Sequence, residues 1–291
     1  MDGKLPGFLA LLAGCTSVLA ADYETRLREE IEESPGRFRT VESREKWKPS
    51  ETAVIVCDMW DLHHCKNAVT RAVELAPRMN ALLAAAREKG SLIIHAPSSC
   101  MQFYEHHPAR KRAQSAPDAG NIPEGIEQWM TWIDKREEAA GYPIDHSDGG
   151  EDDDPREHAE WAEKLKTMGR NPDAPWTRQL GLLDIDKRKD AITDSGRENW
   201  NLLEQHGIRN VILVGVHTNM CVLGRPFGLR QLARNGKNVV LMRDLTDTMY
   251  NPAMPPKVSH FAGNDLIVNH VEKYVCPTVT SDQILGGAPY H

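Results

Sequence analysis

The apolar run Val211-Ile212-Leu213-Val214, closed by Gly215 and followed by His217, Thr218, Asn219 and then Cys221, constrains this chain more than any other stretch. Consecutive aliphatic residues without alternation read as a strand buried on both faces, the mark of a parallel sheet covered by helices. The glycine lets the backbone turn, and Val222 begins what reads as a helix, so Cys221 falls where a strand end meets a helix N-terminus. Unpaired N–H groups and the positive end of the helix dipole favour a thiolate there, pulling the thiol below its ordinary value of about 8.5. The same N–H groups suit a developing oxyanion. A second unbroken run, Ala53-Val54-Ile55-Val56-Cys57, ends in Asp58. Functional groups of open α/β sheets gather at the carboxyl ends of strands. Asp58 and Cys221 are therefore the first candidates for chemistry, against the alternative that a cysteine after a strand is simply core.

The rest of the chain alternates in the same sense. Leu75, Met79, Leu82, Leu83 and Ala86 recur at helical spacing up to Gly90, and Leu92-Ile93-Ile94-His95 reads as a second strand parallel to the first. Ala191-Ile192-Thr193 reads as a strand, Gly196 to Gln205 as a helix capped by Gly207, Asn238 to Arg243 as a strand, Phe261 to Val275 as a helix and Pro277 to Thr280 as a last short strand. This pattern predicts an α/β fold, a three-layer α/β/α sandwich with a mostly parallel, Rossmann-like sheet. Residues 21–51 form an N-terminal extension in which the charged stretch Tyr23 to Lys46 reads as a surface helix and connector. The domain proper is 52–291, with an insertion at about 98–178 that exceeds ordinary loop lengths. Within it, Glu124 to Ala140 and Glu157 to Met168 are predicted helices whose Trp129, Trp132 and Trp161 pack the insertion onto the main domain, and a lid and an oligomer contact are both open as its role.

The net charge of −7 carries no basic footprint for nucleic acid, and the acidic run Asp148 to Asp154 reads as a solvated loop rather than a metal site. No apolar run is long enough to span a bilayer. Residues 1–20 read as a leader: Lys4, the apolar Phe8 to Ala13, and Val18-Leu19-Ala20 before a cleavage point have the order of a signal peptide. Leu12-Ala13-Gly14-Cys15 alternatively matches a lipobox, which would make Cys15 a lipid anchor. Either points to an exported protein, against a cytoplasmic one with an apolar N-terminal helix. Of the six cysteines, at 15, 57, 65, 100, 221 and 276, five remain once the leader is gone, so one thiol stays unpaired even under oxidation. Cys221 is the choice for it, and pairing of Cys65 with Cys100 is left open.

Three separated pieces, Gly215-Val216-His217-Thr218-Asn219-Met220-Cys221-Val222, the strand ending in Asp58, and Val239-Val240-Leu241-Met242-Arg243-Asp244, together resemble the isochorismatase-like cysteine hydrolase superfamily. The resemblance runs from about Thr52 to Ile284 except for the insertion. It implies a small-molecule substrate, no cofactor and a homo-oligomer. It also implies Cys221 as nucleophile, Asp58 as base, the backbone N–H groups of His217 and Cys221 as oxyanion hole, and a cis peptide between Val216 and His217. The family's third member, a lysine, is missing: its position holds Thr193, Asp194 or Ser195. Lys187 and Lys189 should lie at the opposite strand end, and Arg197 is the nearest cation in sequence. Asp61 and His63 have the spacing of a nicotinamidase metal site, but that family places it after the second strand, where Glu105-His106-His107 stands. No metal ligand is assigned: His63, His64, His95 and His107 read as imidazoles lining a polar pocket. The resemblance implies cleavage of a C–N bond in a small amide through a thioester. The alternatives are a non-catalytic member that binds a ligand or serves assembly, supported by the missing lysine, and an ether hydrolase that does not need the cysteine.

Overall fold

In the structure, a computed structural model describing residues 21–290, one eight-stranded sheet runs in the order β2-β1-β8-β7-β6-β3-β4-β5. The parallel part comprises β3 (Thr52–Cys57), β4 (Leu92–Ala96), β5 (Ala191–Ile192), β6 (Asn210–Val216), β7 (Asn238–Asp247) and β8 (Thr278–Val279). Helices cover both faces, giving the predicted three layers. The expected leader over residues 1–20, with the alternative lipobox at Cys15, lies outside the described residues.

The aliphatic runs dictate the layering because successive side chains of a strand point to opposite faces. Ala53, Ile55 and Cys57 with Val211 and Leu213 join one core, shared with Leu202 and Leu203 of α5 (Gly196–Gln205), Leu229 and Leu232 of α6 (Leu229–Arg234) and Val268 and Val271 of α7 (His260–Tyr274). Val54, Val56, Ile212 and Val214 join the other, against Ala76, Met79, Leu82, Leu83 and Ala86 of α1 (Lys66–Lys89). All of β3 and β6 is buried, as unbroken aliphatic runs require.

Two sequence expectations are corrected here. Tyr23 to Lys46 is not a helix: β1 (Tyr23–Ser34) and β2 (Arg37–Trp47) form an antiparallel hairpin, and β1 joins the sheet beside β8 at Arg28 and Thr278. Its buried residues Tyr23, Thr25 and Leu27 alternate with exposed charge, a period of two that the acidic and basic residues between them obscure. Within the insertion, α2 (Pro108–Gln114), α3 (Lys135–Ala140) and α4 (Pro155–Thr167) are the α-helices. The predicted helix over Glu124 to Ala140 therefore survives only in its last 6 residues. Residues 125–130 instead run as irregular chain clamped to the main domain: Gln231 Nε2 donates to the carbonyls of Gly125 and Gln128, and the Glu127 carboxylate accepts from the N–H groups of Gly196 and Arg197 at the start of α5.

Chain order locates the site. From β3 the chain goes outward to β4 and β5, then returns to β6 on the other side of β3 and continues to β7 and β8. The ends of β3 and β6 therefore flank the point where the winding reverses, the crevice in which such sheets bind ligands. Among the described residues no helix is long and apolar enough to cross a membrane.

Candidate active site at the ends of two parallel strands

Asp58 follows β3 directly, in a left-handed conformation (φ 46°) that turns its side chain into the crevice. Its N–H still continues the sheet to the Ala96 carbonyl at 3.1 Å. The fully buried carboxylate accepts at one oxygen from the Ser98 N–H (2.7 Å) and at the other from Arg225 Nε (2.9 Å). Across the crevice, Gly215 sits at φ 111°, with the Cys57 carbonyl oxygen 2.0 Å from where a Cβ would stand, so only glycine fits. The Val216–His217 peptide is cis, as the resemblance implies. A π-helical turn, Thr218–Val222, then carries Cys221 back over the strand ends. There the thiol, 8% exposed, faces both the Asp58 carboxylate and the Arg225 guanidinium.

The helix start does not yield a thiolate at rest: burial first, and then the Asp58 charge, push the Cys221 thiol up, and Arg225 offsets only part of this. Burial also raises the Asp58 carboxyl, against the pull of Arg225 and the Ser98 N–H. Burial works against the Arg225 charge, but Asp58 together with the neighbouring Cys221 and Cys57 outweighs it, and Arg225 stays charged. The resting state is a neutral thiol beside an ionised pair. Passing the thiol proton to Asp58 then creates no new charge, since a carboxylate–guanidinium pair becomes a thiolate–guanidinium pair. In a dry site this exchange costs far less than ionising an isolated thiol.

Arg225 is the residue that reading the sequence missed. Thr193 hydrogen-bonds Glu198, Asp194 accepts from the Ser99 N–H, Ser195 caps α5, the exposed Lys189 precedes β5, and Arg197 is bound to Asp118. None of these brings a cation to Asp58. Arg225 does so from the other side, one helical turn beyond the cysteine, with its N–H donating to the Cys221 carbonyl at 3.0 Å. The spacing of four between Cys221 and Arg225, which places two side chains on one helical face, was the available signal.

The histidines do not converge as one set. His95 is buried between Gln179 and Asp190, and His107 caps α2 through the Ala109 N–H. Against its desolvation, hydrogen bonds from His95 and Arg87 hold Asp190 down to about 2. Asp61 is bound by Arg170 and the Thr177 N–H. Only His63 and His64 stay together, their rings 3.9 Å apart between centroids and tilted by 35°, with His217 4.9 Å from His63. Burial holds His63 well below the ordinary imidazole value and His217 down to about 4, so both are neutral at pH 7. Cys65 and Cys100 are both free thiols. Cys65 instead groups with Asp152 and Asp153, which corrects the solvated-loop expectation. The Asp153 carboxylate accepts the Lys66 and Asn67 N–H groups, while Asp152 takes Arg71 and the Cys65 thiol donates to both carboxylates. These two carboxylates are committed as acceptors, Asp153 to the start of α1 and Asp152 to Arg71, which is how the group is held.

The insertion reaches the site through Trp129. Its ring lies under the Arg225 guanidinium, 5.6 Å from centroid to Cζ, and the Met130 N–H donates to the Gly224 carbonyl at 2.9 Å. A Cβ on Gly224 would stand 2.4 Å from the indole. Trp129 is nonetheless 48% exposed, whereas Trp161 is buried and donates to the His63 carbonyl, so the predicted packing role suits Trp161 better. Gly224→Ala should therefore destabilise the fold by about 1–3 kcal/mol, the usual cost of overpacking. Urea unfolding of Gly224→Ala, Trp129→Ala and the double variant checks this. The two effects should be non-additive, and additive losses would mean that alanine and indole never collide.

No family model and no curated protein matches the chain. Solved structures similar to it include a cysteine hydrolase from Pseudomonas syringae pv. phaseolicola, 16% identical, with a TM-score of 0.47 over 81% of this chain and 92% of that one. Another is an isochorismatase family protein from Burkholderia thailandensis, 14% identical, with a TM-score of 0.43 over 81% of this chain and 94% of that one.

Proposed function

We propose that this chain is a cysteine hydrolase of the isochorismatase-like superfamily that cleaves the C–N bond of a small amide through a Cys221 thioester. The observation that carries this reading is the buried Asp58 carboxylate facing the Cys221 thiol and Arg225 together. Asp58 takes the thiol proton as sulfur attacks the carbonyl carbon, and the oxyanion falls to the backbone N–H groups of His217 and Cys221. The proton then passes from Asp58 to the leaving nitrogen as the C–N bond breaks. Asp58, ionised again, removes a proton from the water that hydrolyses the thioester, and returns it to the sulfur. A guanidinium does not give up its proton, so Asp58 is the single proton carrier while Arg225 holds its charge throughout. The small exposure of Cys221 favours a small substrate. The non-catalytic alternative drew its support from a missing cation, and Arg225 occupies that role.

Cys221→Ala should fold normally and lose all amide hydrolysis, measured as ammonia or amine released from a panel of small amides and checked by circular dichroism. Retained hydrolysis of the same amides would remove Cys221 as nucleophile. Because the base must be ionised, wild-type activity should fall on the acid side at a pH above the ordinary aspartate range, in line with the raised Asp58 pKa.

A further inference from the structure

The loop after β4 carries a hydroxyl that the fold leaves without a partner. Ser98 is 2% exposed, and among the described residues its Oγ is the one enclosed hydroxyl oxygen that makes no hydrogen bond. Buried polar groups are ordinarily satisfied, because an unmet one loses its hydration and gains nothing in return. The backbone around it is fully engaged. The Ser98 N–H donates to Asp58 Oδ1 at 2.7 Å, the Ser98 carbonyl accepts from Trp60 Nε1 at 3.0 Å, and the N–H of Ser99, itself at φ 65°, donates to Asp194 Oδ2 at 2.8 Å. These bonds hold the loop without using the Ser98 side chain. Burial raises the Asp58 carboxyl, and Arg225 and then the Ser98 hydroxyl and N–H oppose it. The hydroxyl is therefore beside the carboxylate, although the two are not aligned for a hydrogen bond.

The second half of the hydrolase reaction has a use for such a group. A water must attack the thioester carbon while giving a proton to Asp58, and holding a water in one orientation takes at least two polar partners. Asp58 is one of them. A hydroxyl has one donor and two acceptor sites, so Ser98 Oγ can accept the second O–H of the water and keep its own proton. That leaves a lone pair of the water to face the carbonyl carbon. The other groups at Asp58 suit this role less well. The Ser98 N–H and Arg225 Nε are engaged by the carboxylate itself, and the Cys221 sulfur carries the acyl group at that stage. A guanidinium has donors only, so it would engage a lone pair that the attack needs.

We propose that the Ser98 hydroxyl, together with Asp58, positions the water that hydrolyses the Cys221 thioester, an assignment that rests on the hydrolase reading. In that step the water oxygen bonds to the thioester carbon, one of its protons passes to Asp58, the C–S bond breaks, and the sulfur recovers the proton from Asp58. Ser98 is unchanged at the end. The test uses p-nitrophenyl acetate as an acyl donor, with p-nitrophenolate release followed by stopped flow and acetyl-Cys221 by intact mass. Wild type should give a burst that Cys221→Ala lacks, then steady release as acetyl-Cys221 hydrolyses. Ser98→Ala should keep a burst rate within about threefold of wild type but lose roughly tenfold or more of the steady rate, the order of loss expected from a misplaced reactant. Acetyl-Cys221 should accumulate in that variant, and Ser98→Thr, which restores a hydroxyl, should recover most of the steady rate. Ser98→Ala should also melt no lower than wild type, because the group it removes holds nothing in the resting fold. An unchanged steady rate in Ser98→Ala would overturn this assignment and leave the hydrolase reading intact. Equal slowing of burst and steady phases, or a lower melt, would do the same by marking the hydroxyl as structural. No burst in wild type, or a burst that survives Cys221→Ala, would instead remove the hydrolase reading and this assignment with it. Should Ser98→Ala fail to fold, Ser98→Gly carries the same comparison.

Discussion

Asp58→Asn should make Cys221 react faster with iodoacetamide while abolishing amide hydrolysis. The two outcomes part because Asp58 holds the thiol in its neutral form and is also the group that takes its proton. At rest the carboxylate charge adds to burial in raising the thiol. Two unit charges about 4 Å apart interact by about 4 kcal/mol at an effective dielectric of 20, worth roughly three pH units. Relaxation returns part of this, so an acceleration on the order of 100-fold at pH 7.5 is expected. Asparagine keeps the shape but leaves Arg225 without its carboxylate, and the guanidinium is then free to stabilise the thiolate. Arg225→Met should act in the opposite direction and slow alkylation. Peptide mapping assigns the label to Cys221 rather than to the other buried thiols. Unchanged or slower labelling of Asp58→Asn would show that the carboxylate does not govern the thiol. Surviving hydrolysis would remove Asp58 as the base.

Glu137→Gln should cost about 3–5 kcal/mol of stability, the range for breaking one side of a buried ion pair. Glu137 on α3 is fully buried and accepts from Arg230 Nε and Nη2, from His270 Nε2 at 2.9 Å and from the Ile133 N–H at 2.6 Å. Arg230, 1% exposed, also donates to the Met130 carbonyl and the Tyr142 hydroxyl. The cluster thus ties α3 of the insertion to α6 and α7 of the main domain, and the variant leaves a buried guanidinium without its counter-charge. In a chain of this size the loss corresponds to a melting temperature lower by on the order of 10 °C. Burial alone would raise the Glu137 carboxyl, but His270 and Arg230 hold it below its ordinary value. Its contribution is therefore complete above the unfolded carboxyl pKa and is lost as pH falls through the lower folded value. Wild type should lose its advantage over Glu137→Gln in acid, and urea denaturation across pH measures that convergence. A difference under about 1 kcal/mol at pH 7 would mean that the pair is not a principal anchor.

What local sequence determines here is whatever a periodicity can encode. Unbroken aliphatic runs made β3 and β6 central strands, because strands buried on both faces need apolar residues at every position, and this placed Asp58 and Cys221 at adjacent strand ends. Where the encoding residues are neighbours of other segments, the sequence was silent. The helix α1 begins at Lys66, well before Leu75, because Asp153 of the insertion caps it. The hairpin of β1 and β2 exists because β8 offers an edge to pair with, and its charged residues face solvent rather than marking a helix. Residues 125–130 forgo helix because α5 and α6 satisfy their polar groups instead. The cation of the site was decided in the same way. Local pattern put Arg225 one turn after Cys221, but only the meeting of two strand ends, with Trp129 packed against the guanidinium, brings it onto Asp58. A charge acts through distance in space, and that distance belongs to the fold.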